Sequence, residues 1–176
     1  MNNNALSVAN EFIDLAHAES NNTLTPLKLI KLVYLAHGFG LVFLEEYNKM
    51  LIDPRFDKVE AWKFGPVIPS VYHTFKHLQN SPVTIENKAV VIENEEKLKF
   101  ITPQLDGDLE KKIVRFVWNR YKDLTGSELV TLLHREGTPW ALSYEEGQNN
   151  EIPDFLTKTY YKMVVENLKN GNTDND

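Results

Sequence analysis

His73 and His77 stand four residues apart in a stretch that reads as helix, a spacing that puts two imidazoles on one face and suits a metal ion. A zinc hydrolase of that type needs a glutamate directly after the first histidine as general base, and Thr74 occupies that place. The pair therefore reads as a partly exposed helix face. His134 and Glu136, just before Thr138-Pro139-Trp140, could form an acid–base pair, since histidine titrates near neutral pH and a nearby carboxylate raises its pKa. No nucleophile or third partner stands at a recognisable spacing. The simpler reading puts His134 in the last turn of a helix, bonding free carbonyls, with Trp140 packed beneath it. Glu60 reads as a structural carboxylate paired with Lys63, Lys28 or Lys31, or with backbone amides at a turn. His37 reads as a core histidine satisfied by one hydrogen bond. The chain has no phosphate loop, nucleophile elbow, dinucleotide glycine pattern or paired catalytic carboxylates. The expectation is a protein with no catalytic residue, metal or cofactor, and a metal-dependent hydrolase built on His73, His77, His134 and Glu136 ranks last.

Binding chemistry has a better candidate in residues 60–75, EAWKFGPVIPSVYHTF. Gly65 permits backbone angles closed to other residues, Pro66 fixes its own φ and removes a donor, and Trp62 and Phe64 set large faces beside the turn. Two readings stay open. The aromatics plug the domain's own core, which is what most aromatics do, or they form a rigid platform for a partner. On the second reading Trp62, Phe64, Tyr72 and Trp140 are contact candidates, with Lys63, Lys76 and His77 as polar rim. Gly65 and Pro66 brace the turn and His134 accompanies Trp140.

The elements that position these residues are mostly helical. Three Thr-Pro pairs, Thr25-Pro26, Thr102-Pro103 and Thr138-Pro139, supply a cap and a first-turn proline each. Apolar spacing predicts a first helix over about 6–18 and a longer one over about 26–46 that is apolar on two faces and so buried among neighbours. Gly38 and Gly40 inside it cost about 1 kcal/mol each against alanine, which implies close packing against another backbone. A short extended segment over 58–64 leads into a helix over about 69–79, and a small hairpin fits within 83–101. Further helices are expected from Asp106 or Asp108 to Tyr121, from a Thr125/Glu128 capping box through His134, from Pro139, and from Pro153 to about Leu168. The predicted fold class is mainly α: one compact multi-helix domain over 1–168 with a small β-hairpin or short extended segments, and a disordered tail over 169–176.

Composition sets the outer limits. The chain of 176 residues, 42% hydrophobic and 11% aromatic, is long enough for one core that buries roughly 70% of the surface of the unfolded form. The absence of cysteine excludes disulfides, thiolate catalysis and cysteine metal sites. No run approaches the ~20 apolar residues of a membrane span, and the first residues lack the basic and apolar parts of a signal peptide, so a cytoplasmic protein is expected. The net charge of −6 is uneven: residues 1–19 carry −3, residues 20–80 hold 7 basic and 5 acidic groups, and the remainder holds 12 and 17. So few clustered cations argue against nucleic acid and for a protein partner.

Four segments together resemble the Panacea domain family of SocA-like antitoxins, which also includes phage-associated GepA proteins. They are LTPLKLIKLVYLAHGFGL (24–41), VEAWKFGPVIPSVYHTF (59–75), ELVTLLHREGTPW (128–140) and EIPDFLTKTYY (151–161). The second and third are the specific ones, with Trp-x-x-Gly-Pro-Val followed by a Tyr, and Leu-x-His followed by Pro-Trp. Residues 81–102 match no pattern of the family. The resemblance implies an antitoxin whose partner is a cognate protein toxin. An alternative is a phage or prophage adaptor that delivers a bound partner to a host protease, using residues 169–176 or the acidic stretch 93–96 as a second surface.

Overall fold

α2 (Pro26–Phe43) is the axis of the protein, and α1 (Ala5–Ala18), α4 (Asp108–Tyr121), α5 (Gly126–Leu133) and α7 (Asp154–Lys169) pack around it. The computed structural model describes residues 4–94 and 99–171. α2 starts where Thr25 accepts the Lys28 N–H and Pro26 takes the first helical position. Residues on every side of it are buried, from Pro26 and Lys28 through Gly40. By length and composition α2 could cross a membrane, contrary to the reading from apolar runs, yet 78% of it is buried inside the protein. Its neighbours account for that apolar surface.

The two interior glycines serve close approach. A Cβ on Gly38 would lie 2.3 Å from the Tyr161 ring, and one on Gly40 would lie 2.9 Å from Leu51 Cβ. Side chains rather than another backbone fill those spaces. Phe39 is the centre of an aromatic cluster, with Tyr161 at 4.9 Å, Phe116 at 5.0 Å and Phe43 at 5.9 Å between ring centroids. His37 is a satisfied core histidine: its Nε2 lies 2.9 Å from Asp154 Oδ1 and ties α2 to the first turn of α7, where a carboxylate also complements the helix dipole. Buried Lys28 is tolerated because its Nζ donates to Thr23 Oγ1 and to the Lys122 carbonyl.

The β content is small. β1 (Glu60–Trp62) and β2 (Gly65–Val67) form a tight hairpin, and β5 (Asn150–Glu151) adds to β1 to give an antiparallel sheet in the order β2-β1-β5. The predicted extended segment is thus half of a hairpin that continues through Pro66. α3 (Pro69–Phe75) follows, with Pro69 in its first turn, and gives way to a 3₁₀ turn over Lys76–Leu78. His73 is in the helix and His77 in the 3₁₀ turn, both exposed. β3 (Val91–Asn94) pairs with β4 (Lys99–Ile101) inside the region expected for a hairpin, and residues 95–98, which hold most of the acidic stretch, lie outside the described residues.

Caps explain most of the remaining boundaries. Asn4 and Ser7 form a capping box that starts α1, and Thr125 with Glu128 starts α5 as expected. α4 departs from expectation: Gly107, at φ 98°, is its N-cap residue, in the place expected for Asp106 or Asp108. Thr138 caps α6 (Pro139–Ser143). α7 runs to Lys169, and residues 172–176 of the expected tail lie outside the described residues.

Candidate docking site

The β1–β2 hairpin is held from behind by two buried layers. Its closing pair is Trp62 opposite Gly65, which leaves Lys63 and Phe64 as the exposed tip. Gly65 has φ 98°, and a Cβ there would lie 3.3 Å from Lys31 Nζ and 3.4 Å from His134 Nε2. The turn therefore needs glycine for its backbone and for the two nitrogens against it. Lys31 is 1% exposed, and its Nζ donates to the Pro66 carbonyl at 2.9 Å. Burial pushes its pKa down from 10.5 to about 7.

The second layer is a stack of rings. Trp140 lies flat on His134, 3.6 Å between centroids and 3° between planes, and on Tyr144 at 4.6 Å and 19°. Its indole N–H donates to the Trp62 carbonyl at 2.8 Å, so α6 grips the hairpin directly. His134 Nε2 is buried without a hydrogen-bond partner, and burial followed by the charge of Lys31 lowers its pKa. His134 is the C-cap residue of α5, but its ring does not bond the free carbonyls: the Thr138 hydroxyl lies 2.9 Å from Leu133 O and 2.8 Å from Arg135 O and can donate its one proton to either. Glu136 is exposed and makes no bond to His134. An acid–base pair is not formed here.

Trp62 itself stands edge-on to Tyr72, 4.8 Å between centroids at 66°. Glu60 accepts the Trp62 indole N–H at 2.7 Å and so sets that ring's angle, in place of the predicted lysine or backbone pairing. The free faces of these rings border a pocket of about 270 Å³. Leu27, Ile30 and Lys31 of α2 form one wall, Trp62, Phe64 and Val67 of the hairpin a second, and Tyr72 and Lys76 a third. Lys63 Nζ lies 5.8 Å from the Phe64 ring and Lys76 Nζ 5.8 Å from the Tyr72 ring, both at the rim. Among the described residues, no carboxylate lines the pocket.

Of the residues predicted to bind a partner, Trp62, Lys63, Phe64, Tyr72 and Lys76 converge on this pocket. Gly65, Pro66 and Trp140 are buried behind it, with half-buried His134. His77 is exposed on the 3₁₀ turn and does not line it. Sequence reasoning missed Leu27, Ile30 and Lys31. The available signal was a lysine inside a helix with no polar face. Among the described residues, no three of His, Asp and Glu come together as a metal ion would require.

A helical body with a rigid, aromatic, lysine-rimmed hollow has the features of a binding surface. Comparison with known proteins gives the same class. The family described as "Antitoxin SocA-like, Panacea domain" matches residues 29–141, a span that holds the hairpin, Lys31, His134 and Trp140. A curated relative, Antitoxin SocA of Caulobacter vibrioides (strain NA1000 / CB15N), is 36% identical over 137 residues, covering 77% of this chain and 68% of the relative. The chain belongs to the SocA-like antitoxin family, Panacea domain. No solved structure matches it significantly.

Proposed function

We propose that this protein neutralises a cognate protein toxin by binding it directly, with the β1–β2 hairpin and its pocket as the docking face. The observation that carries this reading is the contrast between a locked back and an open front. Trp140 of α6 and Lys31 of α2 hold the hairpin by hydrogen bonds, and Glu60 of β1 fixes the Trp62 ring within it, while Phe64 at its tip stays 64% exposed. A rigid aromatic anchor loses little conformational entropy on binding. The work ends at binding, so no residue is assigned a catalytic role. The test is to co-express the chain with each flanking gene that is toxic alone. Restored growth, together with co-purification of the two products, supports the reading. Persistent toxicity of every such neighbour overturns it.

A second reading, delivery of the bound toxin to a host protease, draws support from one separate surface. The β3–β4 hairpin exposes Ile92 and Phe100 side by side, with Val90 next to them, each at least 50% exposed. Replacing Ile92 and Phe100 by serine should leave toxin binding intact yet lengthen the toxin's lifetime in cells. An unchanged lifetime removes this second role.

A further inference from the structure

We propose that the pocket between α2, the β1–β2 hairpin and α3 seats a toxin segment in which an aromatic or large aliphatic side chain is directly followed by carboxylates. The apolar group lies among Leu27, Ile30 and Trp62, and the carboxylates meet Lys63 and Lys76. This inference rests on the antitoxin reading and adds the chemistry of the partner.

Three observations point to that occupant. The pocket's volume, about 270 Å³, falls just below the roughly 300–1,000 Å³ of small-molecule sites and suits one inserted side chain. Its walls are mainly apolar or aromatic, with Lys31 and Gln79 the other polar members besides the rim lysines, and the ring of Trp62 is held in place by Glu60 and Tyr72 before anything arrives. The polar groups at its mouth have one sign: Lys63 and Lys76 are exposed, no carboxylate pairs with either among the described residues, and the first turn of α2 adds the positive end of a helix dipole through Pro26 and Leu27. The charge here opposes that of the whole chain, which is −6. A basic or purely apolar segment would leave these lysines unmatched.

The experiment uses the full chain and three short fluorescein-labelled peptides of otherwise identical sequence, carrying Phe-Glu-Glu, Phe-Lys-Lys or Ser-Glu-Glu at the centre, read by fluorescence anisotropy. Binding of Phe-Glu-Glu at least tenfold tighter than of either other peptide is expected. Lys63→Glu with Lys76→Glu should erase that preference while the melting temperature stays unchanged, since both side chains are exposed. Equal binding of the three peptides, or a preference that survives the double substitution, overturns the proposal. So does a concentration-dependent dimer that the double substitution dissolves, which would give the pocket to a second copy of the chain. Failure of the co-expression test leaves the peptide preference standing, and loss of the preference leaves growth rescue standing, so the two readings fail separately.

Discussion

Replacing Lys31 with methionine keeps the length and apolar stem of the side chain while removing its ammonium group. In the folded protein that group is 1% exposed and bonded to the Pro66 carbonyl, and burial holds its pKa near 7 against 10.5 for a free lysine. Below pH 7 both folded and unfolded chains carry the charge, so the folded state bears the full desolvation penalty. Between pH 7 and 10.5 the unfolded chain keeps a proton that the folded chain has released, and stability rises with pH at about 1.4 kcal/mol per pH unit. The whole interval is worth about 5 kcal/mol. Methionine removes that penalty and leaves Pro66 O without its partner, which costs about 1 kcal/mol. Lys31→Met should therefore be more stable than the parent protein at pH 6, by up to about 4 kcal/mol, and its advantage should shrink by about 3 kcal/mol between pH 7 and 9. Urea unfolding of both proteins at pH 6, 7, 8 and 9 measures this. Taking the difference cancels the contributions of Lys28 and the buried tyrosines, which both proteins share. A difference that stays flat across that range would mean Lys31 holds its proton normally, and the account of burial lowering its pKa would be refuted.

Other perturbations separate the brace from the face. Trp140→Ala removes the stack on His134 and Tyr144 and the bond to the Trp62 carbonyl, so a loss of about 3–5 kcal/mol is expected in urea unfolding. Phe64→Ala, at the exposed tip, should change stability by less than about 0.5 kcal/mol and abolish growth rescue in the co-expression test of the proposed function; rescue at parental level would take the tip out of the docking face. Gly38→Ala pushes a methyl group to within 2.3 Å of the Tyr161 ring position. It should cost at least about 1–3 kcal/mol by calorimetry, with partial recovery when combined with Tyr161→Leu. Gly65→Ala combines a positive φ with contacts to Lys31 and His134, and a loss of about 1–2 kcal/mol or more in thermal unfolding is expected.

Local signals were readable along the chain. Thr25, Thr125 and Thr138 cap helices where threonine followed by proline, or threonine with glutamate three residues on, said they would, but Thr102-Pro103 starts none and the next helix begins only at Asp108. Those signals work because a cap involves only neighbouring residues. The same locality misled at Pro66, where a proline argues against a strand: β2 tolerates it because Pro66 is opposite Ala61 across a hairpin and offers its carbonyl to Lys31 from another element. The spacing of His73 and His77 assumed one continuous helix, whereas the α-helix ends at Phe75 and His77 lies in the 3₁₀ turn that follows.

The amino-acid sequence by itself determined that the chain is mainly helical, where most helices begin, that α2 lies in the interior, and which family motif the hairpin belongs to. Its periodicity and capping residues act over three or four positions, so they need no partner to be read. Tertiary structure alone decided which motif aromatics face outward. Trp62 and Trp140 are 78 positions apart in sequence, and Lys31 and Pro66 are 35. Whether an indole is brace or face depends on which distant backbone its N–H reaches, and that is settled only when α2, α6 and the hairpin close on one another.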